Sequence, residues 1–427
     1  MKVLLLGSGG REHALAWALS QSPLCDTLYI APGNPGTHAC GVNVALDALD
    51  FEQVLEFIGD KDIGLTVVGP EQPLVAGITD FLEAKGHAVF GPSTIASQLE
   101  GSKQFAKDFM ARHNIPTAAY KVFSGDYYAE ALAYVDAHNQ YPVVLKADGL
   151  AGGKGVLIPE NREELLAGLE ELRTGSLQDA AQTLVIEEFM LGEEASVFAL
   201  CDGEHFEIMG TAQDHKRQLD GDKGPNTGGM GAYSPSPLLA EDMLNSVSET
   251  IIAPTIAGMA AEGNPYKGFL YVGLMMTSAG PKVVEYNCRF GDPECQVVIP
   301  RLRSDLLTHL VQSTRGELLG EDIVFDQQYR TTVVLVSGGY PVSYDKGFPI
   351  FGLDELEKVE AVQVFHAGTK DQDGQLCTGG GRVLNVVGTG STLQESISMA
   401  YKGLESISFE GMFYRKDIGA KGLNHVS

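Results

Sequence analysis

Basic charge is the first thing this chain lacks: 30 lysines and arginines face 56 aspartates and glutamates, a formal net charge of −26 over 427 residues. That balance argues against non-specific binding to nucleic acid or an anionic membrane, both of which need a basic surface. Anionic substrates would have to be held in local cationic pockets. No run approaches the ~18 consecutive apolar residues of a membrane span. The apolar run opening at Met1 stops at Leu6, with Arg11-Glu12 close behind. It is too short for a signal peptide and suits a buried first strand better. The six cysteines (Cys25, Cys40, Cys201, Cys288, Cys295, Cys377) show no C-x-x-C pair and no framework spacing. They read as buried thiols of a reduced, cytoplasmic protein. Internal repeats and low-complexity tracts are absent too.

What is present is an ordinary hydrophobic fraction, 44%, and an excess of glycine, 51 residues. The length predicts two or three domains. Residues 1 to about 100 alternate strand and helix, with strands at 2–6, 27–31, 65–68 and 88–90 that run into Gly/Pro loops. That texture predicts a parallel α/β sheet with ligands at the carboxyl ends of its strands. From about Lys103 the pattern becomes a helix (103–113), strands near 119–123, 143–146, 183–188 and 195–201, and a long polar stretch from Asp214. A helix over about 240–262 and paired strands at 269–276 and 282–288 follow. Beyond about Phe325 come strands at 330–337 and 382–387 and a helix near 392–407.

Four motifs carry chemistry. Gly7-Ser8-Gly9-Gly10-Arg11-Glu12 lies between a strand and a helix, where glycines let backbone N–H groups approach a phosphate. Glu12 stands at the third glycine position of a dinucleotide fingerprint, and the second strand ends in Ala31-Pro32-Gly33 instead of an acid. NAD is therefore poorly supported; a phosphate pocket for another ligand and a plain tight turn remain. In the second motif Lys146 precedes a loop holding Gly149, Gly152, Gly153, Lys154 and Gly155. Such a loop can fold over a triphosphate, with lysines balancing its charge; the pattern is not a P-loop. The third, Lys282–Arg289, alternates so that Val283, Glu285, Asn287 and Arg289 are predicted on one face. A carboxylate, a carboxamide and a guanidinium in a row can hold Mg²⁺ and clamp a phosphate. The fourth, Glu187-Glu188-Phe189 with Glu194 beyond, suits an adenine and ribose site.

Lys103, Lys146, the glycine loop, E-E-F…G-E-E-A-S and E-Y-N-C-R occur in the order of the ATP-grasp enzymes. GSGGREHAL, APGNPGT, GPEQPLVAGI, KADGLAGGKGV, GPNTGGMGAYSP, EYNCRFGDPE and GGGRVL together resemble the glycinamide ribonucleotide synthetases, or phosphoribosylamine–glycine ligases, across essentially the whole chain. Its ending at Ser427 resembles the stand-alone bacterial form. The resemblance implies an α/β protein. It would have an N-terminal parallel α/β (pre-ATP-grasp) domain over 1–102 and a central ATP-grasp α+β fold over 103–324. Within the latter a lid would cover about 119–190, and a small mixed α/β C-terminal domain would span 325–427.

The implied reaction joins glycine to 5-phospho-β-D-ribosylamine with ATP, through a glycyl phosphate. The implied cofactors are ATP, as co-substrate, and Mg²⁺ or Mn²⁺; a monomer is expected. Carried across position by position, Lys103, Lys146, Gly152, Gly153, Lys154 and Gly155 would contact the nucleotide phosphates. Glu187, Glu188 and Phe189 would lie at the adenine hinge and Glu194 at the ribose. Glu285 and Asn287 would hold the metal. Arg289, Lys146 and Asp214 would be catalytic. Gly9, Gly10, Glu12, Asn34, Glu71, Asp214, Lys216, Gly228, Gly229 and Arg289 would meet the other substrates, the ribosylamine at the N-terminal loops and glycine near Asp214 and Arg289.

Two features depart from the pattern: Leu270–Thr277 offers no carboxylate opposite the E-x-N strand, and Asn385 stands where a small residue is expected. Two other classes are kept open. A nicotinamide-dependent dehydrogenase would change NADH absorbance, and a non-catalytic nucleotide-binding module would bind ATP without glycine-dependent ADP release. Another ATP-grasp carboxylate–amine ligase is the nearest alternative among enzymes.

Overall fold

Five strands open the chain: β1 (Lys2–Gly7), β2 (Thr27–Pro32), β3 (Val42–Asn43), β4 (Leu65–Val68) and β5 (Val89–Phe90). In this computed structural model, which describes residues 1–150, 155–174, 182–318, 323–356 and 359–426, they form one parallel sheet ordered β3-β2-β1-β4-β5. Val3 to Leu6 are fully buried, as a strand covered on both faces requires. Strand order reverses between β1 and β4, which puts the sheet's crevice at Gly7 and Gly69, the usual ligand position in such sheets.

The next unit is a sheet of β6 (Tyr120–Ser124), β7 (Val143–Ala147), β8 (Val156–Leu157) and β9 (Thr183–Glu188), ordered β6-β9-β7-β8. Helices Tyr128–His138 and Arg162–Thr174 accompany it. Phe123, Ala131, Leu145, Leu165, Leu169 and Ile186 form a core of its own, so this segment holds together as a separate layer.

The largest sheet joins β10 (Glu193–Asp202), β11 (Phe206–Asp214), β14 (Gly231–Ser234), β15 (Lys267–Thr277) and β16 (Gly280–Asn287) to β17 (Tyr329–Val336), β18 (Val362–His366) and β21 (Arg382–Gly390). Its order is β16-β15-β10-β11-β14-β17-β21-β18, and β14 pairs with β17. The C-terminal strands thus extend the central sheet. Two small hairpins complete the strands: β12 (Arg217–Leu219) with β13 (Lys223–Asn226), and β19 (Thr369–Gln372) with β20 (Gln375–Thr378).

Strands β3, β8, β11, β12, β13, β14, β18, β19 and β20 have no counterpart in the sequence reading. Apart from β11 they are short, two to five residues, and tertiary contacts supply what periodicity does not. The β12–β13 hairpin is held by Arg415, which donates to the Arg217 carbonyl and pairs with Asp222 and Asp417. The helix expected over 240–262 runs as Glu241–Val247 and Ala253–Ala261 with a π turn between them.

One expectation fails in an informative way. Val283 does not share a face with Glu285. Gly273 pairs with Glu285 while the adjacent Leu274 pairs with Val283, so Val284 is a bulge. The extra residue inverts the alternation. Val283, Tyr286 and Cys288 point into the core, whereas Glu285, Asn287 and Arg289 line a cavity.

Candidate active site

That cavity holds about 480 Å³ between the β6–β9 layer and the central sheet. One wall is cationic. Lys103 begins the helix Lys103–Arg112, capped by the Ser102 hydroxyl, which accepts from the Phe105 N–H. Its ammonium donates to the Gly149 carbonyl, and burial lowers its pKa, with Glu285 opposing. Lys146, near the end of β7, lies 2.9 Å from Glu187 Oε1 and donates to the Val284 carbonyl at 3.0 Å. Lys107, one helical turn beyond Lys103, meets Glu187 Oε2 at 3.0 Å. Burial brings Lys107 down to about 8 against the pull of Glu187. The carboxylate of Glu187, 2% exposed, therefore lies between two lysines, and the cavity edge beyond it is formed by Glu188, Phe189 and Met190. Glu188 pairs with Lys282 at 3.2 Å. Gly155 lines the cavity; Gly152, Gly153 and Lys154 lie outside the described residues.

The opposite wall carries oxygens. Against partial desolvation, Glu285, with its side chain 38% exposed, is held below the usual carboxylate range by Lys216, Lys146 and Lys103. The Asn287 amide has no hydrogen-bond partner among the described residues. A hard carboxylate oxygen beside a free amide oxygen, facing the three lysines, is a donor set that fits Mg²⁺ or Mn²⁺. Among the described residues no group of three or more His, Cys, Asp or Glu is placed to hold a metal, so most of a metal's shell would be phosphate and water. Lys216 bridges Glu194 at 2.8 Å and Glu285 at 3.6 Å.

Arg289 is held by Glu71 at 3.1 Å and Glu100 at 2.6 Å. Against burial, these carboxylates raise its pKa further; Glu71 in turn is pushed down, burial opposing, by Arg289 and Arg11. Asp214 ends β11 and faces the cavity, with its pKa raised to about 6 by burial. Gly228 reaches the cavity on a loop clasped from the C-terminal region. Its N–H donates to the Tyr340 hydroxyl, and its carbonyl accepts from Arg382. Gly229 adopts φ 112° against Pro293, a backbone region that strongly favours glycine.

The N-terminal loop is built differently from a bare phosphate cradle. Glu12 turns inward, accepting from the Gly9 N–H at 2.7 Å and from Arg11 Nε at 2.6 Å. Its side chain fills the crevice between Gly7 and Gly69, where a Cβ on either would strike it. Asn34 caps the turn Pro35–Ala39 and donates to the Ser8 and His366 carbonyls. A Cβ on Gly10 would collide with the amides of Gln296 and Asn385. Asn385 is buried against the start of the helix Gly10–Ser20; its amide nitrogen donates to the Phe365 carbonyl, while its Oδ1 has no hydrogen-bond partner among the described residues. Gly9, Gly10, Glu12 and Asn34 do not line the cavity; Arg11 does.

Sequence reasoning missed Arg11, Glu100, Lys107, Glu294 and Arg382, all of which line the cavity. Lys107 had a usable signal, its i+4 spacing from Lys103. Arg382 and Glu294 sat inside quoted motifs without a role.

With this geometry in hand, comparison with known proteins is direct. Descriptions for the N, ATP-grasp (A) and C domains of phosphoribosylglycinamide synthetase match residues 1–100, 101–295 and 330–421. A protein of Mesorhizobium japonicum named phosphoribosylamine–glycine ligase is 52% identical, the match covering 98% of each chain. One of Yersinia pestis with the same name is 50% identical over 99% of each. A crystal structure of phosphoribosylamine–glycine ligase from Thermotoga maritima superposes with a TM-score of 0.85 at 36% identity, covering 98% of this chain and all of that one. No helix among the described residues is long and apolar enough to cross a membrane. The chain belongs to the phosphoribosylglycinamide synthetase family, with the ATP-grasp fold at its centre.

Proposed function

We propose that this protein joins glycine to 5-phosphoribosylamine at the expense of ATP, giving glycinamide ribonucleotide, ADP and phosphate, a step of purine biosynthesis. The observation that carries the reading is one cavity with Lys103, Lys107 and Lys146 on one wall and Glu285 with Asn287 on the other. Phosphoryl transfer to a carboxylate brings two anions together, and such a site offsets their repulsion.

In the first step a glycine carboxylate oxygen bonds to the γ-phosphorus, the bond to the bridging oxygen breaks, and ADP leaves. In the second the ribosylamine nitrogen attacks the acyl carbon of glycyl phosphate, phosphate departs with the former carboxylate oxygen, and the nitrogen loses a proton. Lys103 and Lys146 would hold the phosphates together with Gly152, Gly153, Lys154 and Gly155. Glu188 and Phe189 would border the base and Glu194 the ribose, with Glu187 fixing Lys146. Glu285 and Asn287 would hold Mg²⁺ or Mn²⁺, which neutralises charge developing on the phosphates. Arg289 and Asp214 would serve the transfer and the glycine side. Glu71, Lys216, Gly228 and Gly229 would border the amine substrate. Gly9, Gly10, Glu12 and Asn34 would shape the neighbouring N-terminal crevice. The net charge of −26 weighs against nucleic acid or an anionic membrane as a partner, and the form proposed is a cytoplasmic monomer.

The test is ADP release with ATP, glycine or phosphoribosylamine omitted in turn. Release that needs all three supports the reading, and release indifferent to glycine overturns it.

A further inference from the structure

Of the three lysines on the nucleotide wall, Lys107 is the most deeply placed, its side chain 3% exposed against 6% for Lys146. Its ammonium is taken up by protein groups. It lies 3.0 Å from Glu187 Oε2 and donates to the Thr117 hydroxyl at 2.7 Å. The centre of the Tyr120 ring is 6.0 Å away, at the limit of a cation–π contact. Thr117 in turn donates to the Val283 carbonyl at 2.7 Å. Val283 immediately precedes the bulged Val284, whose carbonyl accepts from Lys146.

The contacts close into a ring. It runs from Lys107 to Glu187 and Lys146, then through Val284, Val283 and Thr117 back to Lys107. Lys103 stands outside it and donates to the Gly149 carbonyl. Glu188, next to Glu187, pairs with Lys282 instead. Two ammonium groups and one carboxylate leave the ring with one positive charge to offer the cavity. Without Lys107, Glu187 and Lys146 would neutralise each other in a buried pair, and buried unlike charges in contact hold each other strongly.

We propose that Lys107 is a positioning residue for the nucleotide step: by engaging one oxygen of Glu187, it lets that carboxylate orient Lys146 without neutralising it. Lys107 acts through Glu187 and leaves the phosphates to Lys146 and Lys103. This rests on the ligase reading and deepens it, since it divides three neighbouring lysines into two that meet the nucleotide and one that sets the charge of its neighbour.

The experiment measures ADP release by the full-length protein for Lys107→Met, Glu187→Gln and the double variant. Methionine has nearly the length of lysine without its charge. Lys107→Met should lower kcat/KM for ATP roughly tenfold or more, while KM for glycine moves less than about twofold. Adding Glu187→Gln frees Lys146 from its uncompensated carboxylate, so the double variant should be at least as active as Lys107→Met alone. Losses that multiply would mean that Lys107 serves the nucleotide independently of Glu187, and would overturn the proposal. A folded Lys107→Met with unchanged kinetics overturns it as well. If circular dichroism shows Lys107→Met unfolded, Glu187→Gln is compared with the double variant, whose buried charges are balanced. Equal kcat/KM for ATP then supports the proposal, and a further loss of roughly tenfold overturns it. A wild-type protein that releases no ADP with all three substrates would sink the ligase reading itself.

Discussion

Lys146 on β7 donates to the carbonyl of Val284 on β16, 3.0 Å away, and that one bond ties the smaller sheet to the central one across the cavity. Val284 is the bulged residue of its strand. The irregularity that turns Glu285 and Asn287 toward the cavity thus also helps anchor the lysine facing them.

Removing that lysine should be costly to turnover. Lys146→Ala is expected to lower kcat/KM for ATP at least ~100-fold, about 2.7 kcal/mol of transition-state stabilisation. The check is steady-state kinetics alongside a melting curve. A folded variant with near-wild-type turnover would remove Lys146 from the phosphate site.

The metal wall is tested at Glu285. Glutamine keeps the shape and removes the charge, so Glu285→Gln should need roughly tenfold more Mg²⁺ for half-maximal activity. A Mg²⁺ titration that superposes on that of the wild type would leave Glu285 a purely structural residue.

An acyl phosphate leaves an isotopic trace. With ¹⁸O in the glycine carboxylate, the phosphate released should carry one labelled oxygen per product molecule, read by mass spectrometry. Unlabelled phosphate from a fully labelled substrate excludes that route.

Gly10 and Asn385 make a packing prediction. A methyl on Gly10 meets the Asn385 and Gln296 amides, so Gly10→Ala should cost about 1–3 kcal/mol by overpacking. Combined with Asn385→Ala, the loss should be smaller than the sum of the two single losses, since the variants share one volume. Strict additivity in denaturant melts would mean that the two positions do not press on each other.

His13 makes a prediction about acid. Its Nδ1 accepts from the His366 N–H at 2.8 Å, and burial lowers its pKa to about 3. An unfolded histidine titrates near ~6.5, so below that pH the unfolded chain binds more protons. The contribution is complete above ~6.5 and is lost as the pH falls toward 3. Between pH 7 and pH 5, wild type should therefore lose on the order of 2 kcal/mol more stability than His13→Gln. Equal losses in the two proteins would argue against the assignment.

Sequence alone determined the family, the strand–helix alternation of the first hundred residues, and the grouping of Lys103, Lys146, Glu285 and Asn287, which line one cavity. Those features are local: apolar runs such as Val3–Leu6 end in glycine turns, and charged residues sit at fixed short spacings from them. Tertiary structure decided what depends on residues distant in the chain. The bulge at Val284 placed Val283 in the core because its register is set by β15, not by its own alternation. Glu187 became the buried partner of two lysines because a helix and a strand converge on it. Glu12 turned inward because Gly7 and Gly69 leave room for its side chain between two strands. Asn385 took its place from the packing of a C-terminal strand on the first helix. Spacing in a sequence reports which side chains share a face, but burial and pairing across elements decide which of them carry the charge.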